Sequence, residues 1–325
     1  MAAQRQDGLG TTHLPSLFFY AVHFGKKCVE AIATLFFVAM VTFLMGHAIP
    51  GGPFDSEKYQ PPQIKKLQEA KYGLDKPLWK QFGSYMGGIV FHGDFGVSMK
   101  YLDRPVGDIL LETLPLSLSI GGLALLASIV IGLPLGMLSA LKPNSWWDSA
   151  SLFMAVGGVA LPTFLIGAVL VLIFCRTLEW LPPARLDTAG SYVLPVLTLA
   201  ARPASIVARL VRSSLLEQYQ NDYIRTARAK GLPESRIVIF HALRNSLLPL
   251  VTILGPISAS ILTGSFITEH FFAISGMAKH FIDAVNDRDM FLMMGATLIF
   301  AAILVAINLL VDLIYPILDP RMKAS

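Results

Sequence analysis

The chain has 325 residues, 54% of them hydrophobic and only 15% charged, with a formal net charge of +4. A soluble domain carries roughly 25% charged residues, so an ordinary soluble globule is excluded and an all-α membrane protein with several spans is expected. The positive balance would suit nucleic acid, but its distribution along the chain assigns it to membrane orientation, and no nucleic-acid partner is expected.

Residues 1–28 are read as a cytoplasmic segment, because they lack the short apolar region and small-residue cleavage site of a secretory signal. Six stretches are then long enough to cross a core of ~30 Å, which takes roughly 20 residues per helix. They cover 29–47, 116–141, 149–175, 192–212, 247–268 and 291–315. Pro115, Pro134, Pro162 and Pro195 lie in or beside these spans, where neighbouring helices re-satisfy the carbonyls that proline frees. Residues 116–316 form the core domain and 317–325 a cytoplasmic tail.

The long loop 48–115 is expected to build a small cap over the outer vestibule. Within it, "PPQIKKLQEAKYGL" reads as a short helix, with Pro62 near its start and Gly73 after its end. "KPLWKQFGSYMGGIV" reads as a second amphipathic piece, and "HGDFGVSMK" (92–100) as a glycine-punctuated turn.

Basic residues crowd the segments assigned to the inside: Lys26, Lys27, Lys142, Arg202, Arg209, Arg212 and the stretch after them. The short outer loops hold few cations and accompany them with Glu179, Asp187, Glu269, Asp283, Asp287 and Asp289. That asymmetry places both termini in the cytoplasm. Cys28 and Cys175 then fall at opposite faces, about 30 Å apart, which rules out a disulfide between them.

Coupling to protons or sodium needs ionisable groups within the membrane. The spans carry Glu30, Arg176, Arg202, Arg209, Arg212 and Asp312 only toward their ends, so an ion-coupled carrier or channel is poorly supported. No G-x-x-x-x-G-K-[ST] run is present to cradle phosphates. Neither H-E-x-x-H nor C-x-x-C occurs, and the histidines make no i,i+4 pair, so no metal or other cofactor is expected. A membrane-embedded enzyme lacks a nucleophile, base or metal set. Any uphill transport must draw its energy from a partner.

One segment stands apart. "YIRTARAKGLPESRIVIFHALRNSLLPL" (223–250) sets five basic side chains around Gly231. Leu216, Tyr219, Tyr223 and Ala227 recur at helical spacing, as do Ile237, Phe240, Leu243 and Leu247 in a second helix. Gly231 sits where a helix C-terminus calls for positive φ. Pro233 and Glu234 suit the first turn of the next helix. The reading is an ordered elbow over 213–246, more than orientation alone requires, and suited to a soluble docking partner.

The elbow resembles the cytoplasmic loop of ABC-importer permeases, whose pattern is E-A-A-x-x-x-G followed by a leucine–proline pair. Aligned on Gly231, the E-A-A positions become Arg225, Thr226 and Ala227, so only the last alanine matches. "YIRTARAKGL" and "HALRN…LLP" look like the dipeptide/oligopeptide branch. So do "GLDKPLWKQF", "HGDFGVSMK", "ALPTFLIG", "NDRDMFLMMG" and "NLLVDLIYPILDPRMK", in that order along nearly the whole chain. One departure is Ser275 before Gly276, where the family usually has proline.

The resemblance implies a type I ABC-importer permease fold with six spans and a cytoplasmic coupling loop, in a bacterial inner membrane. It implies a second permease subunit in a heterodimer, two cytoplasmic ATPase subunits, an extracytoplasmic substrate-binding protein and short-peptide cargo. Tyr223, Arg225, Thr226, Ala227, Lys230 and Gly231 would then couple to the ATPase, while the substrate-contacting residues stay unassigned. A nickel-chelate or glutathione permease is the alternative within the family.

Overall fold

The computed structural model describes residues 15–49, 62–101, 103–183, 186–262 and 266–318. The first fourteen residues of the expected N-terminal segment and residues 319–325 of the expected tail lie outside the described residues. In chain order the helices begin with α1 (Pro15–Ala48), α2 (Pro62–Lys71), α3 (Leu78–His92), α4 (Val106–Leu141) and α5 (Trp146–Ala160). Next come α6 (Thr163–Val171), widened into a π turn over Leu172–Thr177, and α7 (Val193–Tyr219), entered through a 3₁₀ turn at Ala189–Tyr192. α8 (Asp222–Ala229), α9 (Glu234–Arg236), a π turn at Ile237–Ala242 and α10 (Leu243–Ser246) follow. The chain closes with α11 (Leu248–Leu262), α12 (Phe266–Phe271), α13 (Met277–Asn286) and α14 (Met290–Leu318).

α4 and α7 form the spine and run parallel. Gly132 lies against Ala204 and Val207, and Gly136, one turn on, against Ala208 and Val211. A Cβ at these glycines would stand 2.6 and 2.5 Å from carbonyl oxygens of α7. The two backbones therefore meet at a separation that a side chain would prevent, as small-residue seams do in membranes.

α5 and α6 run antiparallel along α7. The Ser205 hydroxyl donates to the Met154 carbonyl at 3.0 Å, Gly158 faces Ser205, and Gly167 faces Thr198. The continuous span expected over 149–175 is instead a broken pair, bent by 116°. The residue before a proline is pushed out of the helical region, and Leu161 duly has ψ 135°, with Pro162 itself at ψ 139°. By contrast Pro115 and Pro134 lie inside α4, and Pro203 inside α7.

The fifth span also differs from expectation. α11 ends at Leu262, residues 263–265 lie outside the described residues, and α12 is a separate short helix. α11 makes a 52° bend with the helices before it. Among the described residues, four helical segments are long and apolar enough to cross a membrane: Phe24–Ala48, Val106–Leu141, Ala189–Tyr219 and Met290–Val311. Counting each bent pair as one span gives six.

The two ends of the spine carry different structures. At the start of α4, Val106, Ile109 and Leu110 pack with Met277 and Ala284 of α13 and with Leu292 and Ala296 of α14. Beside them the cap helix α3 rests on α1 and α14, through Ala39, Phe43, Tyr85, Met294 and Leu298. The turn after α3, entered through Gly93 at φ +66°, is pinned by the fully buried Asp289. This carboxylate accepts from the Ser98 hydroxyl, from the Met99 and Lys100 amides at 3.0 and 3.3 Å, and from the Leu292 amide at 3.1 Å. The "HGDFGVSMK" and "NDRDMFLMMG" stretches, far apart in sequence, thus share one anchor. A second buried acid, Glu269, accepts from the Ser117 hydroxyl at 2.8 Å and the Lys279 amide at 3.2 Å.

Candidate functional site

At the other end of the spine, the chain leaves α7 at Tyr219, turns through Gln220 and Asn221, and builds the elbow from α8 to α10. The predicted elbow boundary at residue 213 falls inside α7, so the elbow proper starts at 220. Its buried face holds Ile224, Ala227, Ile237 and Ala242 against Ala140 of α4 and Leu215 of α7. Four apolar side chains from the elbow are therefore removed from water against the ends of both spine helices, which fixes the elbow to the transmembrane core.

α8 ends as its sequence requires. Gly231 has φ +74°, its amide donates to the Arg228 carbonyl at 2.9 Å, and the Leu232 amide reaches back to the Ala227 carbonyl at 3.3 Å. This pair of bonds is the Schellman arrangement, and Leu232 adds its usual apolar contact by packing on the same cluster. Nothing lies within 4 Å of the position a Cβ would take at Gly231. The requirement for glycine is conformational and owes nothing to space.

The other predicted coupling residues separate into two groups. Ala227 faces inward and is buried. Arg225, Thr226, Lys230 and Gly231 are exposed. Arg225 makes only a 3.7 Å contact with Asp222, and the Thr226 hydroxyl donates to the Asp222 carbonyl at 3.0 Å. Tyr223 does not continue the apolar face of α7 as its spacing suggests. Its ring is partly exposed, and Ile224 takes the inward place. The Tyr223 hydroxyl donates to Gln218 Oε1 at 2.7 Å and accepts from Asn245 Nδ2 at 3.2 Å, tying α7, α8 and α10 together.

Across the Gly231 turn, Arg228 donates to Glu234 at 2.7 Å and lies 5.3 Å above the Tyr219 ring. The hydrogen bond to Glu234 raises the Arg228 pKa further. Lys230, Arg236 and Arg244 are exposed and carry no ion pair among the described residues. The second helix differs most from its sequence reading. The wide turn at Ile237–Ala242 shifts the helical phase, so Ile237, Val238 and Ala242 point inward, while Phe240 is 66% exposed and Ile239 51%. The expected stripe through Phe240 is therefore wrong, and the elbow shows solvent an aromatic and an aliphatic side chain among free cations.

Two family models match the chain. One, described as binding-protein-dependent transport system inner membrane component, covers residues 132–324 and so contains the elbow and the paired α5–α7. The other, the N-terminal model of the same membrane component, covers residues 22–121, taking in α1 and the cap. The chain belongs to the binding-protein-dependent transport system inner membrane component family. It is a membrane subunit of a transport system and not an enzyme.

The relatives agree across nearly the full length. The dipeptide transport system permease protein DppB of Bacillus subtilis is 42% identical over 298 residues, covering 92% of this chain and 96% of that protein. The oligopeptide transport system permease protein OppB of Haemophilus influenzae is 39% identical over 300 residues, 92% and 98% of the two. Among solved structures, a chain of the MetNI methionine ABC transporter in an inward facing conformation aligns with TM-score 0.53 at 19% identity. It covers 67% of this chain and 100% of that one, and it speaks for the fold.

Beside the elbow, the spine holds an ion pair absent from the sequence reading. Asp148, at the start of α5, is 3% exposed and accepts from Arg212, from Ser139 and from the Asn144 amide. With Glu269, it is one of two buried acids that sit immediately outside the expected span limits, where a search of span interiors passes over them.

Proposed function

We propose that this chain is one of two permease subunits in an ATP-driven importer of short peptides, and that its elbow seats on a cytoplasmic ATPase subunit. The observation that carries the proposal is the two-sided elbow. One face is buried against the ends of α4 and α7, and the other offers Phe240 and Ile239 beside exposed Arg225, Lys230, Arg236 and Arg244. An exposed apolar anchor ringed by cations suits an acidic-rimmed groove on a soluble partner.

Because the buried face grips both spine helices, a rigid-body shift of the docked ATPase moves α4 and α7 together. This biases the pathway between two access states. Two ATPases, a second permease subunit and an extracytoplasmic binding protein complete the assembly, in keeping with a binding-protein-dependent family. Both termini and the elbow lie on the cytoplasmic side, supported by the crowding of basic residues there. Peptide cargo is supported by the names of the relatives, which are dipeptide and oligopeptide permeases.

The test is uptake by the assembled transporter in proteoliposomes, supplied with its binding protein and ATP. Labelled di- to hexapeptides should accumulate, and omission of either ATP or binding protein should abolish uptake. Accumulation of a nickel–histidine complex or glutathione with no peptide uptake would overturn the choice of cargo.

A further inference from the structure

The depth of Arg202 in the membrane differs from expectation. Along α7 it lies midway between Tyr192 and Arg212, about 15 Å from each at the helical rise of 1.5 Å per residue. Exposed aromatics, which favour the membrane–water interface, mark both ends of that interval. Tyr192 shares a cluster with Phe174, whose ring meets the exposed Trp180, and Arg212 holds Asp148 next to the exposed Trp146 and Trp147. The interval matches a hydrocarbon core of ~30 Å. Arg202, expected toward the inner end of its span, therefore sits at mid-depth.

Arg202 is exposed and makes no hydrogen bond or ion pair among the described residues. Two turns on, Arg209 is also exposed and donates to the Ala155 carbonyl at 3.2 Å. Arginine keeps its charge in proteins, and a charge at the bilayer centre is costly, so such residues face water or the protein interior. Ala200, Val207 and Val211 turn toward α4 and α11. Arg202 and Arg209, each two residues past one of these, lie about 200° around the helix, on the side turned away from α4. On α11, Leu250 and Leu254 pack on α7, while Thr252 and Pro256, two residues past them, are exposed, as is Ser260. Other outward faces differ: α1 shows Ile32, Phe36 and Phe37, and α5 shows Phe153 and Val156. Cations at mid-depth beside a small, hydroxylated stripe suit a water-filled path.

We propose that this face of α7 and α11 lines the translocation path, and that Arg202 receives the C-terminal carboxylate of a peptide in transit. Arg209, nearer the inner face, takes it next. This rests on the transport reading and adds a substrate contact to it. The guanidinium fork matches a carboxylate with two parallel bonds. A second cation about 10 Å further in lets the anion move on, since passage needs several sites of modest strength.

The test is leucyl-leucine uptake by the assembled transporter in proteoliposomes, with binding protein and ATP. This dipeptide has no carboxylate but its C-terminal one. In a Cys28→Ser/Cys175→Ser background, Arg202→Cys should lower uptake about tenfold, as loss of a bond to a charged group does. Before ATP is added, the variant should react with water-soluble thiosulfonates. An attached aminoethyl group, which is cationic, should restore much of the uptake, and an anionic sulfonatoethyl group should not. Arg202→Lys, which keeps the charge and loses the fork, should fall between wild type and Arg202→Cys. Failure of the cysteine to react would place it against lipid or the second permease subunit and overturn the proposal. So would full uptake by Arg202→Cys, or equal effects of the two reagents. Uptake by the unsubstituted transporter separates the two claims: its absence sinks the transport reading and this inference together, whereas uptake indifferent to the charge at this position sinks this inference alone.

Discussion

Arg212 on α7 grips Asp148 on α5 through two bonds, Nε to Oδ1 at 2.7 Å and Nη2 to Oδ2 at 3.0 Å. The same carboxylate takes the Ser139 hydroxyl of α4. Three helices are thereby joined one step from the elbow. Removing one partner of a buried pair strands the other charge and costs about 3–5 kcal/mol, whereas replacing both by apolar residues is close to neutral. Arg212 is 25% exposed, so the loss for Asp148→Ala should lie near the lower figure. Thermal melting in detergent should show a clear drop for Asp148→Ala and substantial recovery in Asp148→Leu/Arg212→Leu. A double variant no more stable than the single one would contradict this account of the pair.

Asp289 holds the cap turn to the start of α14 with bonds to Ser98, Met99, Lys100 and Leu292. Asp289→Ala removes a helix-start acceptor, worth roughly 0.5–2 kcal/mol, and leaves the cap amides unpartnered. Hydrogen exchange should accelerate at residues 98–101 and in the first turn of α14, with little change in the elbow. Unchanged exchange at Met99 and Lys100 would show that the anchor is dispensable.

How much of this was legible beforehand depends on the range of the interaction. The positive φ of Gly231 follows from a local rule about helix ends, and the chain around it spells that rule out. The break at Pro162 obeys an equally local rule, but a helix tolerates proline at Pro115, Pro134 and Pro203, so the sequence alone does not say which proline bends a span. The pairing of Asp148 with Arg212 spans 64 residues and has no local signature. The exposure of Phe240 comes from a π turn, which adds a residue per turn without a distinctive composition. A stripe counted at the ordinary helical period then goes out of phase.

Glu269 and Gly276 form a tight contact at the start of α13. A Cβ at Gly276 would stand 2.5 Å from both Glu269 Oε2 and Ser117 Oγ, so Gly276→Ala should cost about 1–3 kcal/mol by overpacking. Burial raises the Glu269 pKa above the ordinary 4.5, against the lowering effect of its hydrogen bonds from Ser117 and the Lys279 and Ala278 amides. The unfolded chain therefore gives up this proton first as pH rises. Stability falls with pH from 4.5 up to the raised folded value. Melting curves over that window should flatten in Glu269→Gln, and identical slopes for the two proteins would refute the assignment.

Orientation is checked with single cysteines in a Cys28→Ser/Cys175→Ser background. Gln63→Cys on α2 should react with an impermeant maleimide added to intact cells, and Ser235→Cys on α9 only after permeabilisation. Both positions are exposed, so accessibility is decided by the membrane alone. The reverse pattern would place the elbow outside and remove the proposed ATPase contact.

The most direct test of the elbow as an ATPase seat is a pull-down with Gly231→Val. A β-branched residue at φ +74° costs roughly 1–2 kcal/mol of backbone strain, and with open space around the position the strain falls on the turn itself. The variant should insert at near-normal levels, lose the co-purifying ATPase and lose uptake together. Arg225→Ala and Lys230→Ala should show milder, salt-sensitive losses. Normal ATPase retention and full uptake by Gly231→Val would contradict the account, leaving the elbow as an orientation signal with no part in coupling.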